Sequence, residues 1–332
     1  MDNSETQQSR REPLVTVKNL RKYFTIKDSR GNKGKLKAVD DVSFTIYKGE
    51  TFGVVGESGC GKSTLGRSML NLYPIDGGEI DFGGLDISKL AGKEKKKFCA
   101  KSQLVFQDPS ACLNPRNKIA GILAEPFKIH YKNQMSKAEI EQKIDQLLEV
   151  VGLAAEYKSR YPHEMSGGQK QRIGIARALA LEPELVICDE PVSALDVSIQ
   201  AQVINLLMDL QQRMNLTYLF ISHDLGVVYH VCNRIAVMYL GKIVELADKQ
   251  ALYEDTLHPY TKALISAAPS VDGKEPERIV LAGDVPNPSN PPAGCKFHTR
   301  CPQAMDQCKN HEPQLAEIKK DHFVACHLYK KQ

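Results

Sequence analysis

The sequence contains no long apolar run. None of its segments approaches the roughly 18 or more apolar residues that a helix needs to cross a bilayer. A role at a membrane would therefore require partner subunits that supply the spanning helices. The opening MDNSETQQSRRE is polar and lacks the apolar segment of a signal peptide, so secretion is not expected.

The chain also has little net charge. Lys and Arg exceed Asp and Glu by four (44 against 40), and most of the surplus lies in two segments, 27–37 and 93–97. Such runs are most often solvated surface, so we predict no nucleic-acid or lipid partner from them. With 42% hydrophobic and 25% charged residues, the sequence is typical of a globular protein with an ordinary core.

The sequence shows no internal duplication, and its patterns change in a definite order. LVTVKNLRKYFTI alternates as a strand does, and AVDDVSFTIYKGETFGVVG predicts further strands, which indicates an antiparallel β region at the start. The block at about 108–165 has apolar residues three and four apart, so we expect a helical insert. ELVICDEP, TYLFISHD and RIAVMYLGKIVEL then predict strands around a helix at 199–214, the alternation of a parallel α/β core.

The segment at 56–64, GESGCGKST, lies between a strand pattern and a helix pattern. It fits the phosphate loop G-x-x-x-x-G-K-[ST], whose backbone N–H groups surround phosphate oxygens at a helix N-terminus. We predict that Lys62 bridges the β- and γ-phosphates of ATP and that the Ser63 hydroxyl binds Mg²⁺. The predicted nucleotide contacts are Gly56, Ser58, Gly59, Cys60, Gly61, Lys62, Ser63 and Thr64.

Two carboxylates follow the apolar strand pattern at 185–188. We expect Asp189 to hold Mg²⁺ through its water shell and Glu190 to polarise the attacking water, because phosphoryl transfer depends on positioning and charge stabilisation. An acidic strand end without a phosphate loop would instead be read as a solvated turn.

The segment MSGGQKQR, 165–172, indicates a second anion site. Ser166, Gly167 and Gly168 precede a helix pattern that starts at Gln169, so a hydroxyl, backbone N–H groups and the helix dipole converge. The alternative is an ordinary helix N-cap. Together with the phosphate loop and the carboxylates, this segment resembles the signature of ABC transporter ATPases. The resemblance implies a head-to-tail dimer in which each signature caps the γ-phosphate bound by the other subunit.

The same resemblance implies roles for four further residues. Gln107 would sense Mg²⁺ and the transmembrane partner, and Asp196, in SALD, would lie at the dimer interface. His223 would contact the γ-phosphate, although such a residue is often only structural. Tyr23 would stack on adenine, its alternative being a core aromatic.

Three stretches resemble one branch of the family, the ATP-binding subunits of oligopeptide and dipeptide importers: VFQDPSACLNPR, HPYTKAL and VPNPSNPPAGCKFHTRCP. KSTLGR resembles the second ATPase subunit of the pair found in such importers. The branch implies transmembrane permease subunits, a paralogous ATPase or a second copy, an extracellular substrate-binding protein acting indirectly, and a location on the cytoplasmic face of the membrane. Alternatives are an importer of nickel or another small solute and a soluble non-transport ABC ATPase.

We predict a division of the chain into a disordered tail (1–13), a nucleotide-binding domain (14–253) with a helical subdomain at about 108–165, and a C-terminal extension (254–332). The extension contains a cluster of four cysteines, Cys295, Cys301, Cys308 and Cys326. Four thiols in an otherwise cytosolic chain predict a structural metal site, but their spacing alone does not choose the metal. The resemblance implies a [4Fe–4S] cluster, with zinc, disulfides or free thiols as alternatives.

Overall fold

The protein is described by a computed structural model that covers residues 12–27, 31, 33–267 and 278–329. The predicted disordered tail, 1–13, lies outside these residues except for its last two positions. The strands are β1 (Pro13–Lys27), β2 (Lys33–Tyr47), β3 (Thr51–Val55), β4 (Gly77–Phe82), β5 (Leu85–Asp86), β6 (Ser102–Val105), β7 (Leu185–Asp189), β8 (Thr217–Ser222), β9 (Arg234–Tyr239), β10 (Lys242–Asp248), β11 (Ala316–Lys319) and β12 (His322–Val324).

The helices alternate with these strands through most of the chain. They are α1 (Lys62–Met69), α2 (Gly92–Lys101), α3 (Pro109–Cys112), α4 (Ile119–His130), α5 (Lys137–Val150), α6 (Gly167–Leu179), α7 (Val197–Met214), α8 (Leu225–Val231), α9 (Lys249–Glu254), α10 (Pro259–Ser266) and α11 (Asp306–Asn310). Among the described residues, none of the helices combines the length and the apolar character that a membrane crossing requires. The mixed α/β fold with an antiparallel β region confirms the predicted fold class.

The chain divides into two compact units, one formed by residues 1–89 with 223–332 and the other by residues 90–222. The first unit contains an antiparallel sheet in the order β2-β1-β4-β5. Buried residues of β1 alternate with more exposed ones at 15–17 and again at 20–22, and Val17 faces Phe44 on β2 and Ile80 on β4. The alternation predicted for this part of the chain therefore serves a sheet with one buried face.

The first unit also contains strands in the order β11-β12-β10-β9-β3. Strand β3 is buried along its whole length and runs parallel to β9, with Gly53 beside Ile235. The pattern RIAVMYLGKIVEL was expected to belong to parallel strands, but β9 and β10 form an antiparallel hairpin that turns at Leu240 and Gly241. Its two strands lie too close in sequence for the long crossover that a parallel pair needs.

The C-terminal extension joins this unit through strand pairing. Strand β12 runs antiparallel to β10, with Glu245 opposite Val324, and β11 completes a hairpin with β12. Ordered backbone hydrogen bonds therefore link residues beyond 254 to the strands before them. The predicted boundary at 254 remains a prediction.

The second unit contains the parallel strands β6, β7 and β8. Strand β7, LVICD, is buried at every position, as expected for a parallel strand covered on both faces. Helices α4, α5 and α6 pack on one another, and α5 begins with a capping box between Ser136 and Glu139. The apolar spacing that predicted helices in this block corresponds to buried residues such as Leu123 and Leu148.

We expect Gly53→Ala to destabilise the protein. A Cβ at this position on β3 would lie 2.8 Å from the Cys232 sulfur and 3.0 Å from a Val228 methyl carbon. Overpacking of this kind costs about 1 to 3 kcal/mol. The measurement is the free energy of unfolding in urea.

Gly34→Ala is the matched control because it also places a methyl group on a strand. Its nearest contact would be a side-chain carbon of Ile26 at an ordinary 3.6 Å. Equal unfolding free energies for the two variants would contradict the close packing between β3 and α8.

Candidate functional site

The predicted phosphate loop connects β3 to α1 and depends on glycine at two positions. Gly56 and Gly61 have φ angles of 151° and 110°, a region that side chains disfavour. A Cβ on Gly56 would lie 2.2 Å from the Met238 carbonyl oxygen, and a Cβ on Gly61 would lie 2.0 Å from the Ala38 carbonyl oxygen. Both backbone shape and contact with neighbouring strands therefore exclude any side chain there.

Lys62 is buried at the first position of α1. Its ammonium group donates hydrogen bonds to the carbonyl oxygens of Gly56 (2.7 Å) and Glu57 (3.1 Å). These bonds fix the ammonium group against its own loop, while Ser58 and Gly59 at the loop tip are exposed. The exposed backbone at the loop tip therefore belongs to the same loop as an ammonium group that is held in a fixed position.

Three other loop residues that are predicted to contact the nucleotide differ in how far they are buried. Ser63 and Thr64 are partly buried in the first turn of α1, beside the loop. The Cys60 side chain is buried, and this burial raises the pKa of its thiol. Only the backbone of Cys60 is therefore placed to serve a nucleotide.

Tyr23 is held in place by a buried carboxylate. Its hydroxyl donates to Asp40 at 2.6 Å, and the Lys296 ammonium donates to the same carboxylate at 3.1 Å. Burial favours the neutral form of Asp40, but the Tyr23 hydrogen bond and the Lys296 charge prevail and lower its pKa to about 2. The ring is partly exposed, and the Lys37 ammonium group lies over it, 5.7 Å from its centroid.

The second unit brings together two of the predicted catalytic residues. The Gln107 side-chain amide donates to the Glu190 carboxylate at 3.0 Å. Asp189, the last residue of β7, is 2% exposed, and Glu190 follows with a φ of 48°. A non-glycine residue in the left-handed region is strained, and such strain concentrates at functional sites.

The signature segment forms an ordered helix N-terminus. The Ser166 hydroxyl accepts from the Gln169 N–H at 3.3 Å, and the Gln169 side chain accepts from the Ser166 N–H at 3.0 Å. A Cβ on Gly168 would lie 2.5 Å from a methyl carbon of Ile199, so glycine also permits close packing of α6 on α7. Helix α6 begins at Gly167, two residues earlier than the sequence pattern indicated.

The two remaining predicted residues are exposed at element ends. Asp196 is the N-cap residue of α7 and makes no side-chain capping bond. His223 follows β8 directly, and Asp224 behind it caps α8 through the Val227 N–H. These positions suit contacts with groups outside the chain.

The four cysteines of the extension lie in the first unit as free thiols. The Cys295 N–H donates to the Cys308 carbonyl oxygen at 2.8 Å. Burial raises the pKa of Cys295 to about 11 and also raises those of Cys301 and Cys326, and neighbouring cysteines add to each increase.

Hydrogen bonds from backbone N–H groups oppose these increases in pKa at three of the four cysteines. The donors are the N–H groups of Phe297 for Cys295, Gln303 for Cys301 and Leu328 for Cys326, in each case two residues further along the chain. In the part of the chain that the structure describes, however, no three cysteine, histidine or acidic side chains are grouped closely enough to hold a metal ion. The donor set thus suits a metal–thiolate centre, but its placement does not form one.

Comparison with known proteins assigns the family. Residues 39–193 match the family described as ABC transporter, and residues 244–308 match the oligopeptide/dipeptide transporter, C-terminal region. The chain is 55% identical over 324 residues to the oligopeptide transport ATP-binding protein AppF of Bacillus subtilis (strain 168), across 96% of this chain and 98% of that protein. It is 50% identical over 328 residues to the oligopeptide transport ATP-binding protein OppF of Haemophilus influenzae, across 97% and 98%.

The chain belongs to the ATP-binding subunits of ABC transporters. The resemblance stated from sequence is thereby confirmed, including the C-terminal region of the oligopeptide and dipeptide branch. The fold agrees with a solved dimeric, post-hydrolysis state of the ATP-binding cassette MJ0796 bound to ADP and Pi. That structure has a TM-score of 0.63 and 27% sequence identity, and the match covers 71% of this chain and 98% of that one.

Sequence reasoning missed four residues of this ABC subunit that hold the nucleotide loop and its surroundings: Asp40, Glu57, Tyr260 and Arg300. All four lie in stretches that the sequence did single out: Asp40 in AVDDVSFTIYKGETFGVVG, Glu57 in GESGCGKST, Tyr260 in HPYTKAL and Arg300 in VPNPSNPPAGCKFHTRCP. The first two stretches indicated strands and the phosphate loop, and the last two indicated a branch of the family. Their contacts with the loop could be found only in the folded chain.

We expect Gly61→Ala to weaken ATP binding by more than about tenfold, because the new methyl group would displace the loop from the Ala38 carbonyl, and small displacements of a binding group are costly. Gly59→Ala is the matched control. Gly59 is also left-handed, with a φ of 77°, but a Cβ there has nothing within 4 Å. Titration of a fluorescent ATP analogue measures both affinities, and equal losses would contradict the contact with Ala38.

Proposed function

We propose that this chain is the ATP-hydrolysing subunit of an importer for peptides. The observation that carries the proposal is the phosphate loop, with Lys62 buried at the start of α1 and bound to two loop carbonyls. ATP hydrolysis is the activity of the ABC family. The match of residues 244–308 to the oligopeptide/dipeptide transporter region supports peptide as the cargo.

Each predicted site residue has a defined chemical task in this function. Lys62 neutralises charge on the β- and γ-phosphates, the backbone of residues 56–64 binds phosphate oxygens, and Tyr23 stacks on adenine. Glu190 orients the attacking water, and the Gln107 amide holds its carboxylate in one position. His223 contacts the γ-phosphate as charge develops on it.

The oxygen donors of Ser63, Gln107 and Asp189 suit Mg²⁺, which prefers hydroxyl, carboxylate and amide oxygens. The ion, when bound, neutralises charge on the transferred phosphoryl group. Asp189 is buried, and a buried carboxylate requires a cation or hydrogen-bond donors to replace the lost water.

We propose that hydrolysis requires two ATPase subunits. Ser166, Gly167, Gly168 and Gln169 of one subunit would cap the γ-phosphate held by the other, with Asp196 at the interface. The exposed N-terminus of α6 and the dimeric state of the similar cassette MJ0796 support this arrangement. The second subunit is a paralogous ATPase or another copy of this chain.

The remaining partners follow from the transport function. Transmembrane permease subunits would supply the spanning helices, because no described helix of this chain can cross a bilayer. An extracellular substrate-binding protein would deliver the peptide to those subunits. The ATPase would then act at the cytoplasmic face of the membrane.

We expect Glu190→Gln to lower the turnover of ATP by about 10² to 10⁴-fold while nucleotide affinity stays close to that of the wild type, because the residue orients water rather than binding phosphate. Phosphate release and titration of a fluorescent ATP analogue measure the two quantities. Glu182→Gln is the control, since that exposed carboxylate pairs only with Lys143 among the ion pairs described. Wild-type turnover in Glu190→Gln would contradict the assigned role.

We also propose that Cys295, Cys301, Cys308 and Cys326 hold a [4Fe–4S] cluster. Four free thiols are the number and type of ligands that such a group takes, and hydrogen bonds from backbone N–H groups at three of the cysteines would stabilise ligated thiolates. Its role would be structural, as a covalent staple in a segment with little core of its own. Zinc is the alternative metal for the same donors.

Protein purified without oxygen is expected to be brown, with near-stoichiometric iron and acid-labile sulfide. Cys308→Ser should lose both, whereas Cys99→Ser, which changes a thiol outside the extension, should keep them. If the wild-type protein is colourless and contains bound zinc, the four cysteines form a zinc site and not an iron–sulfur cluster. Protein with neither metal would rule out both.

A further inference from the structure

The cysteine-containing extension contacts the phosphate loop at Glu57. The Arg300 guanidinium group donates two hydrogen bonds to the Glu57 carboxylate, at 2.8 and 3.1 Å. Both side chains belong to the first unit, and the Arg300 side chain is 9% exposed. A bidentate arginine–carboxylate pair is directional as well as strong, so it fixes the position of Glu57 and not only its charge.

A second residue of the first unit binds the backbone of Glu57. The Glu57 N–H donates to the Tyr260 hydroxyl at 3.0 Å, and Tyr260 is fully buried at the start of α10. The Tyr260 ring packs on Phe297 at 5.4 Å between centroids, and Phe297 lies three residues before Arg300. The extension therefore reaches Glu57 through its side chain and through its backbone.

These contacts continue to the lysine of the loop. The Glu57 carbonyl oxygen accepts one of the two hydrogen bonds that Lys62 makes with the loop backbone, at 3.1 Å. Glu57 is thus bound through its carboxylate to Arg300, through its N–H to Tyr260 and through its carbonyl group to Lys62. A shift of Glu57 would move the carbonyl that orients the Lys62 ammonium group.

The extension also supports the other end of the loop. The Lys296 ammonium donates to the Leu240 carbonyl oxygen at 2.9 Å, in the turn between β9 and β10. The next residue of that turn, Gly241, donates its N–H to the Cys60 carbonyl oxygen at 2.8 Å. Residues 57 and 60, which flank the exposed tip of the loop, are therefore both connected to the extension.

We propose that Arg300 is a positioning residue for ATP, which acts through Glu57 in two ways. It holds the loop in the shape that binds phosphate, and it neutralises a carboxylate that would otherwise repel a triphosphate. The inference rests on the proposed function only in that the loop binds ATP. It gives the extension a direct part in nucleotide binding.

These two effects predict that Arg300→Gln and Glu57→Gln lose ATP affinity to different extents. Arg300→Gln releases Glu57 and leaves its negative charge beside the loop, so we expect ATP affinity to fall by about tenfold or more. Glu57→Gln releases the loop but removes the charge, so the loss is expected to be smaller, about threefold. The double variant should bind ATP as Glu57→Gln does, because the charge that Arg300 neutralises is gone.

The experiment uses the full-length chain and titrates a fluorescent ATP analogue at low and high salt. The Arg300→Gln loss should shrink at high salt, whereas that of Glu57→Gln should not. In steady-state hydrolysis KM should rise while kcat changes by less than about twofold, because binding rather than chemistry is affected. Lys319→Gln is the control, since it removes an exposed cation of the same extension that pairs with Asp255.

The outcomes separate this inference from the function on which it rests. A wild-type protein that does not bind ATP would overturn the proposed function. A wild type that binds ATP while Arg300→Gln binds equally well, or additive losses in the double variant, would overturn the role of Arg300. Unfolding midpoints and metal content are measured on every variant. If Arg300→Gln loses its metal or its fold, the ATP affinity of Glu57→Gln is the deciding measurement, and an affinity equal to that of the wild type would overturn the role of Arg300.

Discussion

The close approach of backbone to backbone around the phosphate loop is the constraint on which nucleotide binding depends. Two loop glycines lie against the carbonyl groups of Met238 and Ala38, at distances that leave no space for a Cβ. The hairpin β9–β10 adds a hydrogen bond from Gly241 to the Cys60 carbonyl. The shape of the loop is consequently set by contacts with β2 and with the hairpin β9–β10, so the loop takes this shape only when the first unit is folded.

A buried carboxylate fixes the extension to those strands. Glu245 on β10 is fully buried, and its oxygens accept from the N–H groups of Leu257 (2.7 Å) and His258 (3.0 Å) and lie 2.8 Å from the His322 ring nitrogen. A buried charge is tolerated only when donors replace the lost water, as they do here. The same contacts place the start of α10, and with it Tyr260, next to the phosphate loop.

The sequence could predict those features whose residues are close neighbours along the chain. The phosphate loop, the carboxylates after β7 and the signature are each encoded within a few neighbouring residues, so strand and helix patterns were enough to find them. The Glu57–Arg300 pair joins residues 243 positions apart, and no local pattern indicates it. The hairpin β9–β10 was misread for a related reason, because an apolar run predicts a buried strand without its direction.

The positions of the cysteines connect the proposed metal site to the positioning of the loop. Lys296 directly follows Cys295, and Arg300 directly precedes Cys301, so both cations that support the loop are neighbours of predicted ligands. In residues 278–329 the structure describes only one short helix and two short strands, a scaffold with little intrinsic rigidity. A cation that holds Glu57 in position benefits from a stiffer support. Ligation of the adjacent thiols would supply it by limiting the backbone on either side. On this argument the proposed metal centre would be structural in its chemistry, yet its effect would be exerted at the nucleotide.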